Sequence, residues 1–502
     1  MNKVQGFRNV AAALLAVVLG MATAQAQYIT STSRLTGVPQ HTDLFPGSRP
    51  QLKGWLGMTG LSAVALRLDN TLLHPEGLFS PGPSGGTIIR LEPLLNQLRS
   101  DNNQVGMSQS IELASLGFSG GELGESIWSF RIRERAEFDV QLPGDLLTLP
   151  MMGNAPGSLH DFSDLALRAV HFREYSVGWN RAWGDRLNTG VRLNYLYGME
   201  CAELTQFEAN WYTDPVTYAY GLSASGAFRS SGLNTYHDLS NDLESYLLYR
   251  DNRGWSMDFG FQWAITDRIQ AGAHILDAGQ IEWVEDLQNY TLNAANYVYA
   301  GPILQGEDAL AMFEGDSLSN WLEAEAEILD SLFIPNATGS PFATVLPARL
   351  IGEGSFAFRE TEKATTRVHG MYMCRVVEKS IADWMVSVGV MHAWKQRGAL
   401  NVVWNQFGNG FGAVGAALSL NLGIFQWHLA VDNVLLSPWT ALQWEDETLQ
   451  LPNRADVISV QTGFNLTFGR KKQSEKDPQE LQNETSRRKS APCENFIAGS
   501  RL

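Results

Sequence analysis

Apolar and polar positions alternate along most of this chain with a period of two. Trp128, Phe130, Ile132, Ala136, Phe138, Val140 and Leu142 are interleaved with Ser129, Arg131, Arg133, Arg135, Glu137, Asp139 and Gln141. Successive side chains of a strand point to opposite faces, so one face here is greasy and the other carries ions. Tyr175, Val177 and Trp179 open a second such strand, and Gly184-Asp185-Arg186 turns it into Val191, Leu193, Tyr195 and Tyr197. The rhythm returns at Trp255, Met257, Phe259, Phe261 and Trp263, then after a Thr266-Asp267-Arg268 turn at Ile269, Ala271, Ala273 and Ile275. Further strands are predicted at 347–359, 366–377, 382–394, 398–406, 411–423, 425–433 and 457–468. Earlier ones fall over 51–59, 61–68 and 108–118, with two more across 204–229.

Many of these strands are longer than the roughly 5–6 residues usual in soluble sheets. They match the about 9–11 residues of a tilted strand crossing a bilayer. In hydrocarbon no backbone polar group can stay unpaired, so a spanning sheet must close on itself. Trp179, Trp183, Trp255, Trp263, Trp394, Trp404 and Trp427 stand near strand ends, where interfacial aromatic girdles form. A secreted propeller or sandwich also alternates, but strand length and the scarcity of charge on one face favour a membrane barrel. The expectation is an all-β fold: a closed antiparallel transmembrane β-barrel of about fourteen strands over 51–470. A helical insertion near 307–333 interrupts it, with Leu310, Phe313, Leu318, Trp321, Leu322, Ile328 and Leu332 at helical spacing. That insertion reads equally as a cap, a constriction or a surface excursion. Leu239 to Leu248 is a second, shorter helix candidate.

The amino terminus changes the picture of where such a barrel would sit. Lys3 and Arg8, the apolar run Val10 to Ala22 and Ala24-Gln25-Ala26 have the form of a secretory signal over 1–26. The apolar run is shorter than the roughly 20 residues of a spanning helix. Residues 27–50 are then expected to be periplasmic or lumen-filling. A polar, basic tail over 471–502, entered through Arg470, carries Lys471-Lys472 and Arg487-Arg488-Lys489 and reads as a solvated periplasmic segment. The 502 residues carry a formal net charge of −16, which argues against nucleic acid as a partner. Three cysteines, Cys201, Cys374 and Cys493, form neither a disulfide framework nor a zinc ribbon.

Several short segments, taken in order, carry a likeness. They are Leu116-Gly117-Phe118, the Trp128–Gln141 strand, Pro143-Gly144-Asp145-Leu146-Leu147 and Gly153-Asn154. Next come Gly190 to Gly198, Asp277 to Trp283, Leu346-Pro347, Asp432 to Leu435, and Thr462 to Phe468, which ends in an aromatic. With these the chain resembles an uncharacterised family of Gram-negative outer-membrane β-barrel proteins, one similar to fatty-acid-transporter-like barrels and secretion-system barrel subunits. The resemblance implies a fourteen-strand barrel, a lumen-filling amino-terminal segment and a surface or transport role. It hands over no functional residues. His41 to Pro50 departs from the family's usual opening Asn-Pro-Ala segment.

No catalytic signature survives scrutiny. Gly117-Phe118-Ser119-Gly120-Gly121 matches a nucleophile elbow, but that chemistry needs a strand–elbow–helix setting and the chain here returns to a strand. The nine histidines are scattered singly, with no HxxxH or HExxH spacing. Gly408-Asn409-Gly410-Phe411-Gly412 lacks the lysine and helix of a phosphate loop and fits a hairpin. Glu323, Glu325, Glu327 and Asp330 spread around a helix rather than building a calcium loop. The informative charges are Arg131, Arg133, Arg135, Glu137 and Asp139. An arginine on a barrel's lipid face costs roughly 2–4 kcal/mol at mid-bilayer, so these side chains are expected to face the lumen. There they would pair with the amino-terminal segment or line a polar route.

The sequence therefore points to a non-enzymatic barrel in the bacterial outer membrane, with no cofactor. Its expected partners are outer-membrane lipid and a small hydrophobic molecule passing without energy coupling. The alternative is a scaffold for a secreted or surface protein. A lumen with a continuous greasy pocket and a kinked, gapped strand would favour passage, whereas a packed lumen with long ordered loops would favour the scaffold.

Overall fold

A computed structural model of the chain describes residues 30–469 apart from 36, 71–78, 82–86, 99–102, 121–124, 234–250, 300–322, 324–326, 329–330, 362, 378–379, 395–396, 409–411, 433–438, 445–446 and 453–456. The signal, the basic tail and the Leu239–Leu248 helix lie outside the described residues. So does most of the 307–333 insertion, of which Glu323, Glu327, Ile328, Ser331 and Leu332 are helical.

Fourteen antiparallel strands pair in a closed circuit. In chain order they are β1 (Gly54–Gly57 with Val64–Asn70), β2 (Asn103–Gly120), β3 (Ser126–Leu142), β4 (Ala166–Trp183) and β5 (Leu187–Thr213). Then follow β6 (Arg253–Ala264), β7 (Ile269–Trp283), β8 (Ala348–Glu360), β9 (Ala364–Val377) and β10 (Ser380–Trp394). The last four are β11 (Gly398–Phe407), β12 (Gly412–Leu422), β13 (Phe425–Asp432) and β14 (Val457–Phe468). Each strand pairs with its successor, and β14 closes the cylinder on β1, with Leu56 opposite Leu466 and Val64 opposite Thr462.

Two sequence expectations need correcting. The segments 51–59 and 61–68 are not separate strands but the halves of β1, broken at 58–63 where Gly60 has φ +70°. The break stays hydrogen-bonded to both neighbours, through Gly60 N–H to the Leu113 carbonyl (3.2 Å) and Phe464 N–H to the Leu61 carbonyl (2.8 Å). Across 204–229, the first predicted strand is the far end of the 27-residue β5. The second, Tyr220–Ser231, pairs with that end and with Asn289–Tyr299, beyond the circuit. Alternation reports burial on one face, and it continues wherever a sheet extends past the barrel.

On β6 the alternation is complete: Trp255, Met257, Phe259, Phe261 and Trp263 are exposed, while Ser256, Asp258 and Gln262 are buried. Nine residues at about 3.4 Å each, tilted near 40°, cover about 20 Å of apolar belt. Tyr195 meets Trp255 edge-on at 5.1 Å and Tyr175 at 6.2 Å, forming part of an outward aromatic girdle. Among the described residues no helix is long and apolar enough to cross a membrane. Short turns at 184–186, 265–268 and 423–424 close one rim, where the chain also enters β1 and leaves β14. At the opposite rim the strand ends are separated by longer stretches of chain, between Asn70 and Asn103, Leu142 and Ala166, Thr213 and Arg253, Trp283 and Ala348, and Asp432 and Val457.

Candidate functional site

The amino-terminal segment fills the lumen. From Thr30 to Pro50 every described residue is buried except Gly37, Asp43 and Arg49, which are half-buried. It holds a 3-10 turn, Thr30–Arg34, and a single helical turn α1, His41–Leu44. Its close fit to the wall uses glycine. A Cβ on Gly190 would collide with the Pro46 carbonyl oxygen, and Gly47 lies against the backbone of Gly260 and Phe261.

Polar bonds fix this plug along its length. Asp432 accepts from the Thr30 N–H (2.8 Å), the Thr30 hydroxyl (2.9 Å) and the Ser31 N–H (3.2 Å). Asn401 donates to the Ser31 carbonyl at 2.7 Å, and Gln426 to the Gly37 carbonyl. Arg34 pairs with Glu353, which also accepts from Gln262 at 3.0 Å. Gln40 donates to Glu112 at 3.0 Å and accepts from Asn465 at 3.0 Å. Apolar contacts complete the seat: Leu35 and Val38 pack on Ala65, Met391, Ala399, Ala417 and Ala430, while Leu44 and Phe45 pack on Leu276, Ile351, Met371 and Met385.

The ladder on β3 meets this plug. Asp43 pairs with Arg131 and lies 3.8 Å from Arg133 and 3.7 Å from Arg192. Behind it the wall supplies its own carboxylates. Glu174 takes Arg131 at 2.8 Å, Arg133 at 2.9 Å and Arg135 at 3.2 Å. Asp258 takes Arg192 at 3.0 Å, and Asp277 takes Arg135 at 2.6 Å and also Arg349. Glu137 pairs with Arg135 at 3.0 Å and Arg168 at 3.3 Å, and Asp139 lies 3.9 Å from Arg375. Two cavities of about 30 and 20 Å³ flank Asp43, and both reach Gln40 and Glu112. Each is of the size of a water molecule. The first also touches Ala63 and Ala65, where β1 resumes after its break.

Alternation on β3 pointed to one half of this lattice only. Glu174 is interleaved with Arg173 and Tyr175 on a mixed strand, so nothing local marks it as the acid that serves three arginines. Asp277 is hidden for a different reason. It has φ +56° opposite a register shift at Met257/Phe259, and this bulge buries both Leu276 and Asp277. Its N–H donates to Asp258 at 2.8 Å.

A second ionic cluster faces the other way. Glu134, between Arg133 and Arg135, lies on the outward face of β3 and bonds Arg173 at 2.8 Å and His171 at 3.0 Å. His171 also lies 3.6 Å from Glu200. Ser119 sits within β2 and bonds through its N–H to the Lys53 carbonyl, with no helix following it as an elbow requires. Among the described residues no three His, Cys, Asp or Glu side chains gather as a metal site. Cys201 and Cys374 are free and buried.

Residues 46–432 match a family of unknown function, DUF5723. The chain belongs to that family. No curated protein matches it. Among solved structures it is similar to the toluene transporter TbuX of Ralstonia pickettii, with 9% identity, a TM-score of 0.38, and coverage of 88% of this chain and 98% of that one. The toluene transporter TodX of Pseudomonas putida gives 9% identity, a TM-score of 0.37 and coverage of 89% and 96%. A Pseudomonas aeruginosa FadL homologue gives 9% identity, a TM-score of 0.38 and coverage of 89% and 99%. The barrel assignment rests on the strand pairing and not on these distant likenesses.

Proposed function

We propose that this DUF5723 chain is a bacterial outer-membrane barrel that passes small hydrophobic ligands through its wall, without catalysis, cofactor or energy coupling. The single observation that carries this reading is the break of β1 at 58–63. It lies beside a cavity lined by Ala63, Ala65, Glu112 and Gln461, against the plug residues Gln40 and Asp43. A filled, charged lumen offers no greasy axial route, so passage is lateral: the ligand enters beside a displaced plug and leaves past the broken strand. The apolar belt supports a bilayer setting. Long connections at one rim and short turns at the other support an outward long-loop rim.

The test is uptake of labelled toluene or decane by a deletion strain against the same strain complemented. Uptake unchanged by the deletion sinks the reading.

A second reading, a scaffold for a secreted or surface protein, is favoured by the packed lumen and by one further observation. The strands Tyr220–Ser231 and Asn289–Tyr299 extend the sheet past the barrel on the long-loop rim, where Tyr220 is in ring contact with Tyr299 and with Trp211 at the end of β5. Recovery of a stoichiometric partner from detergent-solubilised envelopes would support it, and its absence would count against it.

A further inference from the structure

Past the barrel, β5 continues as one sheet with the strands Leu159–Asp161, Tyr220–Ser231 and Asn289–Tyr299. Alternation tells which face of that sheet points outward. Glu200 is the register partner of the outward His171, so Ala202 and Leu204 face outward as well. A bulge then inserts one residue into β5: Thr205 and Glu208 lie opposite Ala227 and Ser225, and Gln206 has φ +52°. The outward set passes in this way to Ala209, Trp211 and Thr213. Register adds Tyr220 opposite Thr213, Tyr299 opposite Tyr220, and His160 opposite Trp211.

This patch joins aromatic rings to polar groups that the fold leaves unused. Tyr220 is 37% exposed, meets the Trp211 ring at 5.7 Å and stacks on Tyr299 at 5.8 Å. Four polar atoms beside these rings, Trp211 Nε1, Thr213 Oγ1, His160 Nε2 and Asn154 Nδ2, are buried without a hydrogen-bond partner among the described residues. Asn154 belongs to the group through Ser158, whose hydroxyl donates to Asn154 Oδ1 at 2.6 Å and whose carbonyl accepts from the Thr213 N–H at 3.0 Å. His160 turns its other ring nitrogen to Asp145 at 3.9 Å. Buried polar groups are nearly always paired, and each unpaired one weakens the fold. Four in one patch point to a hydroxyl-rich ligand.

Height above the bilayer narrows the choice. Charge on a barrel's lipid face is tolerated near the interface, so the outward cluster of Glu134, Arg173, His171 and Glu200 marks the edge of the hydrocarbon. From Glu200 to Trp211 the strand climbs a further distance of about 25 Å, at about 3.4 Å per residue and a tilt near 40°. At that height an outer-membrane protein is surrounded by the sugars of lipopolysaccharide. A pyranose offers an apolar C–H face to an aromatic ring and a rim of hydroxyls to N–H and O–H groups. An acyl chain would satisfy none of the four unpaired atoms.

We infer that this outward patch binds the sugars of outer-leaflet lipopolysaccharide. Tyr220 and Tyr299 pack on a sugar face, while Asn154, His160, Trp211 and Thr213 turn to its hydroxyls. Side-chain rotation suffices, because the backbone at Thr213 is held on both sides, by Ser158 and by Tyr220. The site lies apart from the lumen and the broken strand. It takes from the passage reading only the outer-membrane setting with the long-loop rim outward.

The experiment is saturation-transfer NMR on the full chain folded in perdeuterated detergent, with heat-modifiable migration confirming the barrel. The probes are core oligosaccharide released from lipopolysaccharide by mild acid, and maltotriose as a sugar foreign to the membrane. The parent is expected to bind the core oligosaccharide at least about tenfold more tightly than maltotriose, the worth of one or two extra hydrogen bonds. Thr213→Val removes a hydroxyl that has no bond to lose, and Trp211→Phe removes the indole N–H while keeping a ring. Each should weaken core binding by about three- to tenfold, and Thr213→Val should leave the urea midpoint unchanged or raised. If one variant fails to fold, the other decides, and the parent's choice between the two sugars is read in either case. No transfer to the core oligosaccharide, or unchanged affinity in the folded variants, overturns the inference. Equal or tighter binding of maltotriose overturns the lipopolysaccharide assignment. A stoichiometric protein partner released by these substitutions gives the patch to the scaffold reading instead. Binding is read in detergent without transport, so unchanged hydrocarbon uptake sinks only the passage reading, and absent sugar binding sinks only this one.

Discussion

Arg133 on β3 and Glu174 on β4 are register partners, and their side chains meet at 2.9 Å inside the lumen. The two sides of this pair are not equivalent. Glu174 also serves Arg131 and Arg135, whereas loss of Arg133 leaves it two guanidiniums. Buried charges stripped of their partner cost about 3–5 kcal/mol. Glu174→Gln is therefore expected to destabilise the barrel by that amount, and Arg133→Met by clearly less. Equilibrium urea unfolding in lipid vesicles measures both; equal losses would contradict a shared acid.

Arg34 is the plug's other ionic anchor, buried against Glu353. Arg34→Gln leaves that acid with the Gln262 amide and with His274 at 3.6 Å. The plug should loosen by about 3–5 kcal/mol, enough to populate an open lumen. In planar bilayers the variant is expected to show ion conductance well above that of the parent. Arg34→Gln combined with Glu353→Gln, which removes the stranded charge, should close it again in large part. A variant as silent as the parent would show that the plug is not held by this pair.

His41 gives the plug a dependence on acid. Burial pushes its pKa down to about 3, and its ring bonds the Ser48 hydroxyl at 2.8 Å. In water an imidazole titrates near about 6.5. Between those values a withdrawn plug holds a proton that the seated plug lacks. Seating is then at full strength above about pH 6.5 and weakens by up to about 1.4 kcal/mol per pH unit as pH falls toward 3. Hydrogen exchange of the amides of 31–45, corrected for its intrinsic pH dependence, should lose up to roughly tenfold in protection per unit below pH 6. His41→Gln should remove that slope down to about pH 5, where carboxylates begin to titrate.

The barrel was legible because its cause is local. Each strand must be apolar toward lipid, and Trp255 to Trp263 states that requirement residue by residue. Two features escaped because their causes are not local. The break in β1 looks like two strands, since alternation resumes in phase after Gly60. The charge lattice joins Arg135 to Asp277 across 142 positions of chain, and only closure of the cylinder brings them to 2.6 Å. The plug seat is of the same kind. Nothing in Asp43-Leu44-Phe45 announces its partners, because they come from β3, β5, β7, β8, β9 and β10.

Glu134 breaks the greasy face of β3, and its setting turns it into a depth gauge. It is the register partner of Arg173, which is the partner of Tyr197 on β5, itself opposite Arg253 on β6. One pair further toward the short-turn rim, each of these strands carries Ile132, Tyr175, Tyr195 or Trp255, residues of the belt and girdle. A charged group on the lipid face costs roughly 2–4 kcal/mol at the midplane and about 0–1 kcal/mol near the interface. The girdle places Glu134 and Arg173 at the interface, on the long-loop side. Replacing both with apolar residues, Glu134→Leu with Arg173→Leu, is then expected to change stability in vesicles by less than about 1 kcal/mol. A gain of several kcal/mol would put the pair in hydrocarbon and move the bilayer toward the long-loop rim. Glu134→Leu alone should cost more than the double change, because it takes the carboxylate partner from Arg173, whose side chain is only 3% exposed.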